Sequence, residues 1–350
     1  MLETYITKVM DRKGLSAKES EEAMNIIITG QATPAQIGGY LVGLRMKGET
    51  VAEITGSARA MRARACRIDV AANGYPLLDT AGTGGDGAHT FNISTAAAFV
   101  IAGAGRKVAK HGNRAASSRC GSADVLMALG VNLDLGPEQV AACIDTAGIG
   151  FLFAPKFHPA MRHAMGPRRE LGQRTIFNLL GPLTNPAGVG HQLVGVYDAA
   201  LTEPLAWVLR ELGGQAAFVV HGHGGLDELT TGGPNRLSHL KDGRVTSFIL
   251  DGRDLGLRPA TREELCGGDP AENALLLRTL LAGDDDSSRR DVVLLNAAAA
   301  LAVADGDFTR GLAAAASALD SGAALQKLDA LIATSQALAA APVLCDAMAD

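Results

Sequence analysis

Cysteine is scarce in this sequence. Five residues (Cys66, Cys120, Cys143, Cys266 and Cys345) are spread over 350 positions, and no two form a C-x-x-C pair. An odd, dispersed set predicts reduced thiols and a cytoplasmic protein. Long apolar runs are missing too: no stretch of about 18 residues is both apolar and free of capping punctuation, so no membrane span is expected. The chain does not open with a basic segment followed by an apolar one, so no leader is expected. Excess charge of one sign is also lacking. A net charge of −5 gives no global field for nucleic acid, which is not an expected partner. No Gly-Lys-Ser/Thr closes a glycine loop, which excludes a P-loop nucleotide site, and a Rossmann dinucleotide site is not expected.

What remains is the balance of an ordinary globular protein, 47% apolar and 20% charged. The length suggests roughly two domains. Forty-two glycines favour many close backbone turns. The charge is uneven: Gly105 to Thr175 holds ten Lys/Arg against five Asp/Glu, a local basic region suited to a small, highly anionic ligand.

The first 65 residues read as helices. Ser16 with Glu19 and Thr50 with Glu53 are capping boxes, Thr33-Pro34 opens a helix, and Gly30 and Gly48 close two. From about Tyr75, short apolar strands alternate with helices, which predicts an α/β unit with a mainly parallel sheet. The expected strands are 76–79, 106–109, 131–134, 150–153, 192–197 and 216–220. The expected helices are 95–103, 122–129, 137–147, 203–212, 271–281, 288–304, 308–319 and 322–340. Leu237 to Leu250, with Asp242-Gly243 between, reads as an antiparallel hairpin. Residues 155–190 carry five prolines and break the alternation, as a return of the chain through the helical unit. The expected organisation is a helical domain over 1–70, joined by about 170–190, and an α/β domain over 75–165 and 191–350.

Three glycine-bearing clusters each follow an expected strand. The first is Asp79 to Thr95. Four glycines between 82 and 87 let the backbone approach a ligand, and Asn92, Ser94 and Thr95 stand at a helix start, where free amides and the positive dipole end are expected to face outward. The second, Lys110 to Ser122, supplies cations and hydroxyls for phosphate oxygens, with Ser122 expected to cap a helix. The third, Val219 to Leu229, ends in the adjacent acids Asp227 and Glu228, typical partners of a hard cation such as Mg²⁺. His221 and His223 lack a third N or S ligand nearby, so zinc is not expected. Arg168 in Pro167-Arg168-Arg169 presents a fork suited to a carboxylate, whereas His158 and His163 read as structural. In an α/β sheet these clusters converge beyond the strand ends. Together they describe a Mg²⁺-diphosphate site for a phosphorylated sugar diphosphate. No Ser/His/Asp arrangement is present, and a diphosphate leaving group held by metal and N–H donors needs none.

The sequence resembles the anthranilate phosphoribosyltransferases of the nucleoside phosphorylase/phosphoribosyltransferase family. The likeness runs from residue 2 to about 335. It is carried by Gly82-Thr83-Gly84-Gly85-Asp86 with Thr90 to Thr95, Lys110 to Arg114, Gly121 to Asp124, Phe153-Ala154-Pro155 with His158-Pro159, Arg168 to Gly172, Arg174 to Pro186, and Gly225 to Leu229. The resemblance implies a helical domain, an α/β domain and a homodimer formed through the helical domain. It implies Mg²⁺-dependent transfer of phosphoribose from phosphoribosyl diphosphate to the amine of anthranilate, in tryptophan biosynthesis, with no obligatory acid or base. By the same resemblance, Gly82, Asp86, Thr90, Asn92, Ser94, Thr95, Lys110, Ser118 and Ser122 hold the diphosphate substrate. Gly85, Ile93, His111, Gly112, Asn113, Arg114, Ala115, Ala116 and Ser117 line it. Ser94, Asp227 and Glu228 serve Mg²⁺. Gly82, Asn113 and Arg168 contact anthranilate, and His111 lines its pocket; Lys110, Asn113 and Arg168 act by charge and positioning. Two departures stand out: Cys120 where the family usually has a second Ser, and Gly166, expected to loosen a loop ahead of the arginines.

Two other functions fit part of the pattern. A pyrimidine nucleoside phosphorylase shares the architecture, but its Lys-His-Ser-Thr-Gly-Gly signature is missing and Asp227-Glu228 would have no role. A non-catalytic nucleic-acid-binding relative would need a strongly basic surface.

Overall fold

The computed structural model describes residues 1–70, 74–115 and 119–340. The chain begins with α1 (Leu2–Met10), α2 (Ala17–Ile28), α3 (Pro34–Lys47) and α4 (Val51–Ala63). The last three start where local chemistry directs. Ser16, Thr33 and Thr50 each accept from the amide three residues on, and Glu19, Gln36 and Glu53 reach back to complete capping boxes.

The alternating region follows: β1 (Leu78–Gly82), α5 (Ile93–Gly103), β2 (Val108–Gly112), α6 (Ser122–Ala128), α7 (Pro137–Ala147) and β3 (Ile149–Phe153). The chain then runs through α8 (Ala154–Phe157), α9 (Arg162–Leu171) and α10 (Ile176–Leu180) before β4 (His191–Gly195), α11 (Thr202–Glu211) and β5 (Ala216–His221). Next come β6 (Pro234–Lys241) and β7 (Arg244–Asp251), then α12 (Pro270–Leu281), α13 (Ser288–Leu301), α14 (Phe308–Asp320) and α15 (Ala323–Ala340). Asp242 and Gly243 both have positive φ, 50° and 70°, the backbone of a two-residue primed turn, so β6 and β7 form the expected hairpin.

The sheet order is β3-β2-β1-β4-β5-β6-β7, parallel through β5 and antiparallel beyond it. The chain moves outward from β1 to β2 and β3, then returns to place β4 on the other side of β1. The order therefore reverses between β1 and β4, the point at which open α/β sheets take their ligands beyond the strand ends.

Both sheet faces are covered. Leu193, Phe218 and Val220 join a core with α5, α7 and α12 to α15. Val194, Ala217 and Val219 point the other way, into a core shared with α1 to α4, α10 and α11. Helices α9 and α10 thus return to the N-terminal bundle, and Arg62 of α4 ties that bundle to the rest by donating to the carbonyls of Leu183 (2.6 Å) and Leu212 (3.0 Å).

The expected strand at 131–134 is not formed. β3 occupies the sheet edge beside β2, and the segment instead stays outside the ladder and is held to α15, where Ser335 Oγ accepts from the amide of Asn132 at 3.1 Å. Gly166 lies inside α9, not in a loop. Among the described residues, no helix is long and apolar enough to cross a membrane.

Candidate active site

The three clusters meet at the reversal point. Asp227 reaches the first loop: its Oδ2 accepts from the amide of Gly84 at 2.6 Å, and its own amide donates to Asp86 Oδ2 at 3.3 Å. Glu228 reaches the start of α5, where its Oε1 accepts from the amide of Ser94 at 3.2 Å. Lys110 in the middle of β2 donates to the Thr80 carbonyl at 2.5 Å, with Ser94 Oγ at 3.3 Å.

Close approach of the acids requires bare backbone beneath them. A Cβ on Gly195 would sit 1.5 Å from the Asp227 carbonyl oxygen, and one on Gly222 would sit 2.0 Å from that of Glu228. Two buried amides hold the same loop from behind. Asn296 of α13 accepts from the Leu229 amide (3.0 Å) and donates to its carbonyl (2.8 Å). Asn235 of β6 accepts from the Thr230 amide at 2.9 Å and donates to its carbonyl at 2.9 Å. Gly195 and Asn296 carry no motif, and their contacts lie far off in sequence, so sequence reasoning missed them; Asn235 is close to Thr230 in sequence but no motif marks it, and Gly222 falls in the third cluster without its approach to Glu228 being legible there.

The electrostatics are those of crowded anions around one buried cation. Burial, then the Glu228 and Asp86 charges, hold the Asp227 carboxyl well above its ordinary range. Burial pushes Glu228 up to about 7 against the pull of Lys110. Burial lowers the pKa of Lys110, while Asp79 and Glu228 oppose that shift. Adjacent carboxylates that repel one another in a sheltered position suit a hard divalent cation. Among the described residues, no three metal-ligating side chains close into a cage. Mg²⁺ needs none, because it keeps waters and takes substrate phosphates.

Several site residues stand differently from expectation. Lys110 is buried, with its Nζ turned to the Thr80 carbonyl of β1. The amides at the start of α5 are not free: Ile93 donates to the Phe91 carbonyl, Thr95 to that of Asn92, and Ser94 to Glu228. Ile93 and Thr95 are themselves buried. Gly121, not Ser122, is the N-cap of α6; Ser122 is its first residue, and the Asp124 carboxylate holds the amides of Gly121 and Ala115 at 2.9 Å each. Ala116, Ser117 and Ser118 lie outside the described residues.

The remaining predicted residues frame the site. Asp86 Oδ1 accepts from the Ala88 amide at 2.9 Å, and Thr90 bridges to Cys266. Asn92 links the first two loops by donating to the Cys120 carbonyl at 3.2 Å, and Asn273 of α12 donates to its Oδ1 at 3.0 Å. Cys120 keeps a contact there, with Sγ 3.5 Å from Asn92 Oδ1. The Asn113 carbonyl accepts from the Ala123 amide at 3.1 Å, and Arg114 lies 3.5 Å from Asp124.

His111, at the end of β2, has Nδ1 3.1 Å from the Gly181 carbonyl, which assigns the proton to Nδ1. Its buried Nε2 has no partner among the described residues, and burial pushes its pKa down to about 3, so the ring is neutral. His158 lies edge-on at 5.1 Å. Arg168 on α9 stacks its guanidinium 5.0 Å over Phe177, and no ion pair or hydrogen bond holds that guanidinium among the described residues. Among the described residues, no hydrogen bond or ion pair joins Arg168 to the diphosphate loops.

Gly82, Gly84 and Gly87 do show G-x-G-x-x-G spacing. The helix opens only at Ile93, so the third glycine is not at a helix start as a dinucleotide loop requires.

Comparison with known proteins agrees with this geometry. Residues 74–325 match the model of the glycosyl transferase family a/b domain, and residues 3–65 match that of the glycosyl transferase family helical bundle domain. The anthranilate phosphoribosyltransferase of Moorella thermoacetica is 54% identical over 97% of this chain and 100% of its own. That of Roseiflexus sp. is 56% identical over 95% of this chain and 97% of its own. This chain belongs to the anthranilate phosphoribosyltransferase family. The solved anthranilate phosphoribosyltransferase of Thermus thermophilus superposes with a TM-score of 0.89 at 44% identity, covering 95% of this chain and 99% of that one. The Saccharomyces cerevisiae member, solved in complex with PRPP and Mg, superposes with a TM-score of 0.89 at 29% identity over 96% of this chain and 98% of its own. Membership accounts for the helical bundle, the α/β unit and a glycosyltransferase activity.

Proposed function

We propose that this family member transfers the phosphoribosyl group of 5-phosphoribosyl 1-diphosphate to anthranilate, giving N-(5-phosphoribosyl)anthranilate and diphosphate in tryptophan biosynthesis. The observation that carries this reading is the meeting of Asp227 with Gly84, and of Glu228 with Ser94, at one rim of the sheet. A sugar diphosphate needs amide and hydroxyl donors beside a metal-binding acid pair, and this rim brings the two together.

Asp227, Glu228 and Ser94 would hold Mg²⁺. When bound, the ion neutralises diphosphate charge as the anomeric bond breaks. The chain's own residues do the rest. Loop 82–87 and the Ser94 hydroxyl orient the diphosphate, and Lys110 adds positive potential from beneath. The sugar passes through an oxocarbenium-like state that the anthranilate amine attacks. An arylamine needs little deprotonation, so placement outweighs base strength. The unpaired guanidinium of Arg168 suits the substrate carboxylate, and the unpartnered Nε2 of neutral His111 is an acceptor for an amine hydrogen. Closure of the helical unit (1–70 with about 170–190) over the α/β unit would exclude water from the sugar.

The same reading takes the protein as a cytoplasmic homodimer joined through its helical unit. Met10 (73% exposed) and Met46 (72% exposed) support that surface. The decisive experiment follows the fluorescence of anthranilate with phosphoribosyl diphosphate and Mg²⁺. Loss of fluorescence that requires all three components is the expected result, and an unchanged signal overturns the assignment.

A further inference from the structure

We infer that Arg174, seconded by Arg262, is a positioning residue that sets the ligand-facing side of the diphosphate loop and couples it to the helical unit. The inference rests on the proposed phosphoribosyl transfer and concerns how the loop is shaped for it. Gly84, Gly85 and Gly87 have φ of 65°, 76° and 69°. Glycine enters this region and its mirror about equally, so local sterics do not decide which way the peptide planes of the loop face. In a trans peptide the carbonyl and the following N–H point in opposite directions. Whatever holds the carbonyls therefore aims the amides.

Two arginines hold them. Arg174 Nη2 donates to the Gly85 carbonyl, and Arg262 Nη2 donates to the Gly87 carbonyl at 2.5 Å. With the Gly85 carbonyl drawn to Arg174, the Asp86 amide is turned to the other side of its peptide plane. The Arg174 guanidinium is itself placed, 4.4 Å over the ring of Tyr197. The Tyr197 amide donates to Thr83 Oγ1 at 3.2 Å, and the Thr83 amide donates to the Gly195 carbonyl at 2.9 Å, so ring, loop and β4 form one clamp. A planar fork that both stacks and donates is an arginine property that lysine does not reproduce.

Arg174 does not belong to the sheet side of the molecule. It lies between α9 and α10, immediately before Thr175, and Ile176, Phe177 and Leu180 of α10 are buried in the core of the helical unit. Arg168 lies on α9 in the same stretch. One short segment thus carries both the proposed anthranilate carboxylate partner and the clamp on the diphosphate loop, so the shape of that loop follows the position of the helical unit.

The experiment compares the full-length protein with Arg174→Ala, Arg174→Lys and Arg262→Ala. Wild-type turnover tests the transfer reading itself; the variants test the coupling. Arg174→Ala is expected to raise the phosphoribosyl diphosphate KM about tenfold or more, the effect of one lost charge-assisted hydrogen bond, with the anthranilate KM changed less than about threefold. Lys at 174 falls between, and Arg262→Ala shifts the same constant by less. Hydrogen exchange over 83–88 quickens in Arg174→Ala while the melting temperature stays within about 2 °C, because the residue is exposed. A diphosphate KM within about twofold of an active wild type overturns the inference, as does an equal rise in both constants, the mark of a merely structural role. If Arg174→Ala does not fold, Arg174→Gln gives the same discrimination.

Discussion

The Ser94 amide donates to Glu228 Oε1 across 134 residues of sequence. A carboxylate from the loop after β5 thus occupies a helix-start donor of the kind phosphate groups seek. A substrate phosphate seeking the Ser94 amide would compete with Glu228 for it, and a divalent cation held by Glu228 would offset the repulsion of the two anions. Metal and diphosphate are therefore expected to bind cooperatively.

Substitution of the acid pair tests that expectation. Asp227→Asn with Glu228→Gln removes the charge that attracts Mg²⁺, and the Mg²⁺ concentration for half-maximal turnover is expected to rise about 10- to 100-fold. Metal titration of the initial rate measures it. Unchanged activity at limiting Mg²⁺ would count against the assignment.

Arg168→Ala addresses the other substrate. Loss of a charged partner for a carboxylate is worth about 1.5–3 kcal/mol, so the anthranilate KM is expected to rise about tenfold or more while that of the sugar diphosphate changes little. Steady-state kinetics with each substrate varied in turn gives the split. The opposite pattern means the arginine serves the diphosphate.

The raised pKa of Glu228 has a stability consequence of definite sign. Its ordinary value is 4.5 and its folded value about 7, so between them the folded state binds more protons than the unfolded state. Stability from this group is full below about pH 4.5 and declines as pH rises to about 7. The histidines run the other way: His111 at about 3 and His158 and His191 at about 4 are depressed by burial, so their contribution is lost as pH falls below 6.5. Comparing Glu228→Gln with wild type at matched pH cancels the histidines. The variant is expected to gain up to about 3 kcal/mol relative to wild type between pH 4.5 and pH 8, read by urea unfolding without metal. Added Mg²⁺ is expected to stabilise wild type more at pH 8 than at pH 5.

Gly195→Ala tests the close approach beneath the acids. The added methyl would overlap the Asp227 carbonyl, and backbone cannot swing aside as a long side chain can. A loss of about 1–3 kcal/mol of stability is expected, with a raised Mg²⁺ requirement. A variant with wild-type melting and metal dependence would show that the loop is free to move.

Much of this protein is written in local signals. The capping boxes at Ser16, Thr33 and Thr50, the Asp242-Gly243 turn and the glycine loops after β1, β2 and β5 each lie within a few residues, and each forms the expected element. The same chemistry brought the polar clusters to the strand ends. Local patterning could not tell a paired strand from an unpaired connection, which is why 131–134 misled: alternation is compatible with a strand, but the ladder depends on whether a neighbouring edge is open. It also could not show which way Lys110 points, what occupies the Ser94 amide, or that Arg174 grips Gly85 from 89 residues away. Those outcomes hang on β4 lying beside β1 after the excursion through α9 and α10. Strand order is set by how two apolar sheet faces are covered at once, and that is a property of the whole packed chain.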